Sequence, residues 1–240
     1  MTQPSIHHLP QGRTGRQRLS IVRSPIGKKL ITGLTGLGLV LFILIHVLGN
    51  LLLFISTDAF NAYAHTIERL KPLVIPLELA LTAVILVHAG LGIRLYLSRL
   101  KARPIGYEAY QSAGFPSRQT LSSTSMIVTG LTLGGFLIWH LMSFKFGPWY
   151  VIESAGEPMR DLARLVIETF QRPVDIVLYV AVMTVLGLHL RHGIWSAFQS
   201  LGLLTRGMQV TVYGVGTVLS VAIAAGFIAL PVAIFVGWIS

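Results

Sequence analysis

The sequence contains no cysteine. That absence excludes thiolate-held iron–sulfur clusters on this chain, and covalent haem attachment through C-x-x-C-H. Charge is scarce too: 12% of the residues are charged, about half of what a soluble domain carries. Acidic residues are the rarer sign, nine against 19 Lys and Arg. Glu78 and Asp175 lie near the ends of apolar runs, so no chain of carboxylates that could carry protons crosses the apolar zone. No dinucleotide-binding fingerprint and no polar catalytic cluster is present. Residues 1–30 have no apolar signal region and no small-residue cleavage site. They are basic and rich in Pro and Gly, and residues 1–29 read as an arm outside the apolar zone. His7 and His8 within the arm read as solvated.

What remains is hydrophobic. Of the 240 residues, 53% are apolar, and the mean hydropathy is +0.70. Runs long enough to cross a bilayer, which takes about 20 residues, lie near 30–56, 73–97, 123–146, 174–197 and 209–238. The fold class expected is all-α: an integral membrane bundle of five transmembrane helices occupying 30–240. The runs are rich in glycine, for example Gly33, Gly36 and Gly38 in the first and Gly130, Gly134 and Gly135 in the third. Close helix packing and a flat cofactor wedged between helices both call for such residues.

The first four runs each contain a histidine inside apolar surroundings: His46, His88, His140 and His189. A polar ionisable group in hydrocarbon is costly and marks function by default. With no cysteine available, four such histidines fit paired axial ligands for two haems. His192 lies three residues beyond His189, on the same helical face, and periodicity alone does not choose between them.

Lys and Arg set orientation. One side collects thirteen of them: Arg13, Arg16, Arg18, Arg23, Lys28 and Lys29 in the arm, Arg94, Arg99, Lys101, Arg103 and Arg118 around the second connection, and Arg191 and Arg206. The opposite side has six: Arg69, Lys71, Lys145, Arg160, Arg164 and Arg172. Of the acidic residues only Glu108 falls on the first side. The arm is therefore expected to be cytoplasmic. In the long outer connection, Leu162, Leu165, Val166 and Phe170 form one helical stripe, read as a short lid helix on the outer membrane surface.

Position in sequence converts to depth at about 1.5 Å per helical residue. His46 comes 17 residues after Lys29, and His140 five before Lys145, which places both near the outer face. His88 comes six residues before Arg94, and His189 two before Arg191, which places both toward the cytoplasm. Depth thus pairs His46 with His140 and His88 with His189, on levels about 15 Å apart.

These residues resemble the five-helix dihaem cytochrome b membrane-anchor subunit of succinate dehydrogenases and fumarate reductases, the succinate:quinone oxidoreductases of bacterial complex II. The resemblance runs from about residue 28 to the end. It rests on His46 and Asn50 in HVLGN, on FNAYAH and ARPIGYEAYQ, and above all on HLRHGIWSAFQSLGL at 189–203. It implies two haems b, held by His46 with His140 and by His88 with His189, with His192 outside the ligand set. It also implies a bacterial plasma-membrane location, and partners in an iron–sulfur subunit and a flavoprotein subunit that carry the clusters and the FAD. Quinone, of the menaquinone type, would be the other electron partner; membrane lipid surrounds the chain, and no nucleic acid is involved. One departure stands out: Gly187 occupies a position that is acidic in a fumarate-reducing branch.

On the cytoplasmic side Arg191, His192, Trp195, Ser196 and Gln199 form the densest polar cluster bordering a span. Arg191 is a candidate for a haem propionate and the others for a quinone headgroup. The outer alternative for quinone is Asn50 or the loop with Tyr63, His65 and Glu68, although His65 by itself reads as a loop surface residue. Competing functions are the cytochrome b of another quinone-linked dehydrogenase, or a transporter whose histidines bind substrate or protons.

Overall fold

The computed structural model describes residues 24–102, 121–154 and 156–240. His7, His8, Arg13, Arg16, Arg18, Arg23, Arg103, Glu108, Arg118 and most of the ARPIGYEAYQ segment lie outside the described residues. Among the described residues five helices are long and apolar enough to cross a bilayer: Pro25–Phe54, Lys71–Ala102, Met126–Lys145, Pro173–Ser200 and Gln209–Phe235. The chain is a multi-pass helical membrane protein.

In chain order, α1 is Pro25–Leu51, closed by a 3-10 turn at Leu52–Phe54. The elements α2 (Thr57–Arg69), α3 (Lys71–Ala102) and the single turn α4 (Leu121–Thr124) follow. The next helix, α5, is Met126–His140 and continues as a π-helical turn through Leu141–Lys145. The strands β1 (Val151–Ser154) and β2 (Glu157–Arg160) precede α6 (Leu162–Phe170), α7 (Pro173–Ser200) and α8 (Gln209–Phe235). The first span starts cleanly because Ser24 caps it, accepting from the Gly27 amide at 3.0 Å, while Pro25 sits in the first turn where no amide is needed.

The helix α7 is the hub, packed against α8, α1 and α5. Its face of Met183, Leu186, Leu190 and Ile194 forms one buried cluster with Ile223 of α8. Small residues let backbones approach here. A methyl at Gly33 would meet the Ala197 Cα at 3.4 Å, and one at Gly187 would meet the Ala224 Cβ at 3.1 Å. Any side chain at 187 would have to push against α8 at Ala224. By contrast α3 leans mainly on α1 and has no buried residue.

The bundle is roofed at one end, and there the sequence reading needs three corrections. The segment with His65 is a helix, α2, capped by Ser56, which accepts from the Ala59 amide at 3.0 Å. Beyond α5 the chain forms an antiparallel hairpin, β1 with β2, that turns through Gly156 at φ 78°. The apolar stripe of α6 does not rest on the membrane surface. Ala163, Val166 and Phe170 are buried with Leu53, Phe60, Tyr179, Leu230 and Ile234, and Leu165 is buried too, so α6 packs into the bundle end. Asn61 ties the roof together: its amide donates to Asp161 Oδ1 at 2.9 Å and its carbonyl accepts from the Ala163 amide at 2.8 Å. Asp161 is in turn the N-cap of α6, accepting from the Arg164 amide.

Candidate functional site

Two pairs of histidines meet inside the bundle. α1 brings His46 to His140 of α5, with ring centroids 5.9 Å apart and planes at 87°. α3 brings His88 to His189 of α7, with centroids 6.5 Å apart and planes at 71°. These are the pairs expected from depth. Within the fourth span it is the His189 ring, not that of His192, that lies against His88. Thr35 on α1 touches His88, and His46 lies eleven residues further along that helix. The two levels are therefore about 16 Å apart.

The pairs suit a metal bound from two opposite sides. A metal–imidazole bond is about 2 Å and the ring centre lies about 1 Å beyond the nitrogen, so such ligands hold their centroids about 6 Å apart. The remaining nitrogens point to the same arrangement. Thr35 Oγ1 lies 3.2 Å from His88 Nδ1, Thr129 Oγ1 lies 3.0 Å from His189 Nδ1, and the Tyr179 hydroxyl lies 2.9 Å from His140 Nδ1. With Nδ1 engaged, Nε2 is the nitrogen that would be left to hold a metal. The outer rings are backed by phenylalanines, Phe42 on His46 and Phe136 on His140, each at 5.6 Å. Asn50 donates to the His46 carbonyl at 2.8 Å and so serves its own helix. Among the described residues no group of three or more His, Cys, Asp or Glu gathers, and a two-histidine axial site needs none.

No family model, no curated protein and no solved structure matches this chain.

The inner polar cluster divides between two faces of α7. Arg191 donates to Ser122 Oγ at 3.2 Å and to the Tyr213 hydroxyl, and Trp195 packs edge-on to Tyr213 at 5.8 Å. His192 and Ser196 share the other face, half-buried, with Gln199 exposed beyond them. Arg191 and Trp195 thus brace α7 against α8 and α4, while His192, Ser196 and Gln199 hold no hydrogen bond among the described residues.

At the roofed end the structure shows an open cavity of about 410 Å³, lined by His65, Glu68, Arg69, Lys71, Trp149 and Arg160, among others. His65 Nδ1 and Arg160 Nε are buried without a hydrogen-bond partner. His65 Nε2 is 3.9 Å from Glu157, so His65 is not the free surface residue expected. The Arg160 guanidinium also donates to the Phe144 carbonyl at 2.7 Å and lies over Trp149. Burial lowers its pKa, opposed by the charge of Glu68. The Phe144 ring lies 5.2 Å from His140, so the cavity wall is one residue from the outer pair. Tyr63 is not among the residues lining the cavity; it packs on Gly49, where an added methyl would lie 2.7 Å from its ring.

The sequence reading missed Thr35, Thr129, Tyr179 and the two phenylalanines. A signal for four of these five was available, because the stretches around His46 and His140 are copies of each other (below).

Proposed function

We propose that this chain is the dihaem cytochrome b anchor of a bacterial succinate dehydrogenase or fumarate reductase, carrying electrons between an iron–sulfur partner and membrane quinone. The observation that carries the proposal is the pair of imidazole couples on two levels, each at the separation axial ligands need and with Nδ1 engaged in three of the four rings. The resemblance of HVLGN and HLRHGIWSAFQSLGL to that family supplies the identity of the complex.

A haem b bound at each couple would supply reversible one-electron chemistry at its iron. His46 and His140 would hold the outer group, and His88 and His189 the inner one. The apolar helices exclude water from both, and the stacked levels define a path across the bilayer. FAD, iron–sulfur clusters and dicarboxylate chemistry belong to the partner subunits. The arm side, with its thirteen Lys and Arg, would be cytoplasmic and would attract an acidic soluble partner. Addition of succinate to the purified complex should reduce b-type haem. A complex whose haem stays oxidised with succinate, yet is reduced by dithionite, would point to another quinone-linked dehydrogenase. A chain with no b-type spectrum would favour a transporter.

Quinone exchange has two places. The inner one is the face of His192, Ser196 and Gln199 on α7. The outer cavity is favoured by its lining and position: His65, Glu68 and Arg160 border it, and through Phe144 its wall is one residue from the outer pair. The His65→Ala and Arg160→Ala variants should raise the KM for quinone, while His192→Ala and Ser196→Ala should leave it unchanged. The reverse pattern would move exchange to the inner face.

A further inference from the structure

The segments that carry the two outer histidines repeat. TGLGLVLFILIH at 35–46 and TGLTLGGFLIWH at 129–140 share six of twelve positions: the Thr-Gly pair, two leucines, the phenylalanine and the histidine. The partner helices repeat as well, with Val84, His88, Gly92 and Ile93 matching Val185, His189, Gly193 and Ile194. The structure repeats with the sequence. Each phenylalanine stacks on its own histidine at 5.6 Å. Each threonine hydroxyl meets the Nδ1 of the histidine on the following span. A methyl built at either glycine would face the Cε1 of that same imidazole, at 3.1 Å for Gly36 and 3.5 Å for Gly130.

Threonines in apolar helices commonly satisfy themselves by donating one turn back to a carbonyl. Thr32, Thr82, Thr132, Thr184 and Thr217 do this and no more. Thr35 and Thr129 also donate backward, to the Ile31 and Met126 carbonyls. A hydroxyl has one proton to give. With that proton spent on the backbone, the oxygen can only accept from the imidazole. For His88 the conclusion is reinforced by the Thr32 carbonyl 3.2 Å from the same Nδ1, since a carbonyl has no proton at all.

We infer that α1–α3 and α5–α7 are two copies of one histidine-presenting unit, in which Thr35 and Thr129 are positioning residues that hold the proton of His88 and His189 on Nδ1 and turn Nε2 toward the metal. The inference rests on the haem reading. Each axial couple then joins equivalent residues of the two copies, about a two-fold axis along the membrane normal. Accepting from Nδ1–H makes the imidazole more basic, which favours the oxidised iron. The outer level breaks the symmetry. Tyr179 serves His140, and its equivalent in the first copy is Glu78, which pairs instead with Lys145 at 2.5 Å.

The test is redox titration of the two haems in the intact complex, read through their α-bands and low-spin EPR signals. Thr35→Val and Thr129→Val keep side-chain volume and remove the acceptor. Each should move the inner haem to a more positive potential and shift its EPR signal, with the outer haem unmoved. Thr35→Ser and Thr129→Ser should restore both values. Tyr179→Phe should move the outer haem alone. If a valine variant drops the inner haem while its serine counterpart keeps it, positioning is again supported. Valine variants with both haems at wild-type potential, or with the outer haem moved, overturn the inference. An unmodified complex without haem would instead overturn the haem reading, and that is seen before any variant is made.

Discussion

At Gly36 a single hydrogen separates the helix from the His88 ring. A methyl there would sit 3.1 Å from Cε1, while at Gly130 the same methyl would sit at an ordinary 3.5 Å from His189. Overpacking in a constrained site costs about 1–3 kcal/mol, and here the group that must yield is the His88 ring, a proposed haem ligand. Gly36→Ala is therefore expected to lower inner haem occupancy or broaden its α-band, while Gly130→Ala stays near wild type. Haem-to-protein ratios of the two variants check this, and equal behaviour would mean the imidazoles have more freedom than the structure shows. The glycines could not be sorted from sequence. Gly33 and Gly187 pack helix on helix, whereas Gly36 and Gly130 face imidazoles, and only the rotation of each helix against its neighbours separates the two roles.

At the scale of elements, the roof of α2, the hairpin and α6 hangs on Asn61, which is 1% exposed and bonded at both ends of its amide. Asn61→Ala leaves the Ala163 amide and Asp161 short of a partner, at a cost of about 1–3 kcal/mol. Faster amide exchange in α6, with the spans unaffected, is the expected result. The surface knot of Tyr150, Arg164 and Glu168, of which Arg164 is exposed and the other two half-buried, adds a pH dependence. Hydrogen bonds from Arg164 and then Tyr150 hold the Glu168 pKa below its ordinary 4.5, and the bond to Glu168 raises Tyr150 above 10.0. Glu168 therefore contributes above pH 4.5 and loses its contribution as pH falls through its lowered value. Tyr150 contributes below pH 10.0 and loses its contribution as pH rises through its raised value. Protection of the hairpin should be level between those limits and fall outside both; a slope at neutral pH would contradict this.

The spans were legible because hydrocarbon imposes a length and an apolar composition that nothing else demands. Their ends were less so. The second span runs on to Ala102 and the fourth from Pro173 to Ser200, because helical bonding continues into flanks whose Lys, Arg and Gln look like loop. The histidine pairing was legible because depth is linear in sequence within a helix. The hairpin was not: VIES and EPMR are four residues each, too short to show an alternating pattern, and they are held by partners such as Arg69 on Glu157 that are distant in sequence.

For the whole molecule, the asymmetry of thirteen against six Lys and Arg predicts a cytoplasmic arm. Protease added to right-side-out vesicles should spare the arm and cut near the hairpin; cleavage of the arm would exchange the two haem levels. The central claim is that four histidines hold two haems in two couples. Its most direct measurement is the haem-to-protein ratio and reduced-minus-oxidised spectrum of the purified chain and of the variants His46→Ala, His88→Ala, His140→Ala and His189→Ala. Two b-type haems are expected in the parent and one in each variant. His46→Ala and His140→Ala should share one residual spectrum, His88→Ala and His189→Ala the other, and His192→Ala should keep both haems. Four variants that each retain two haems, or losses that pair the histidines otherwise, would contradict the account.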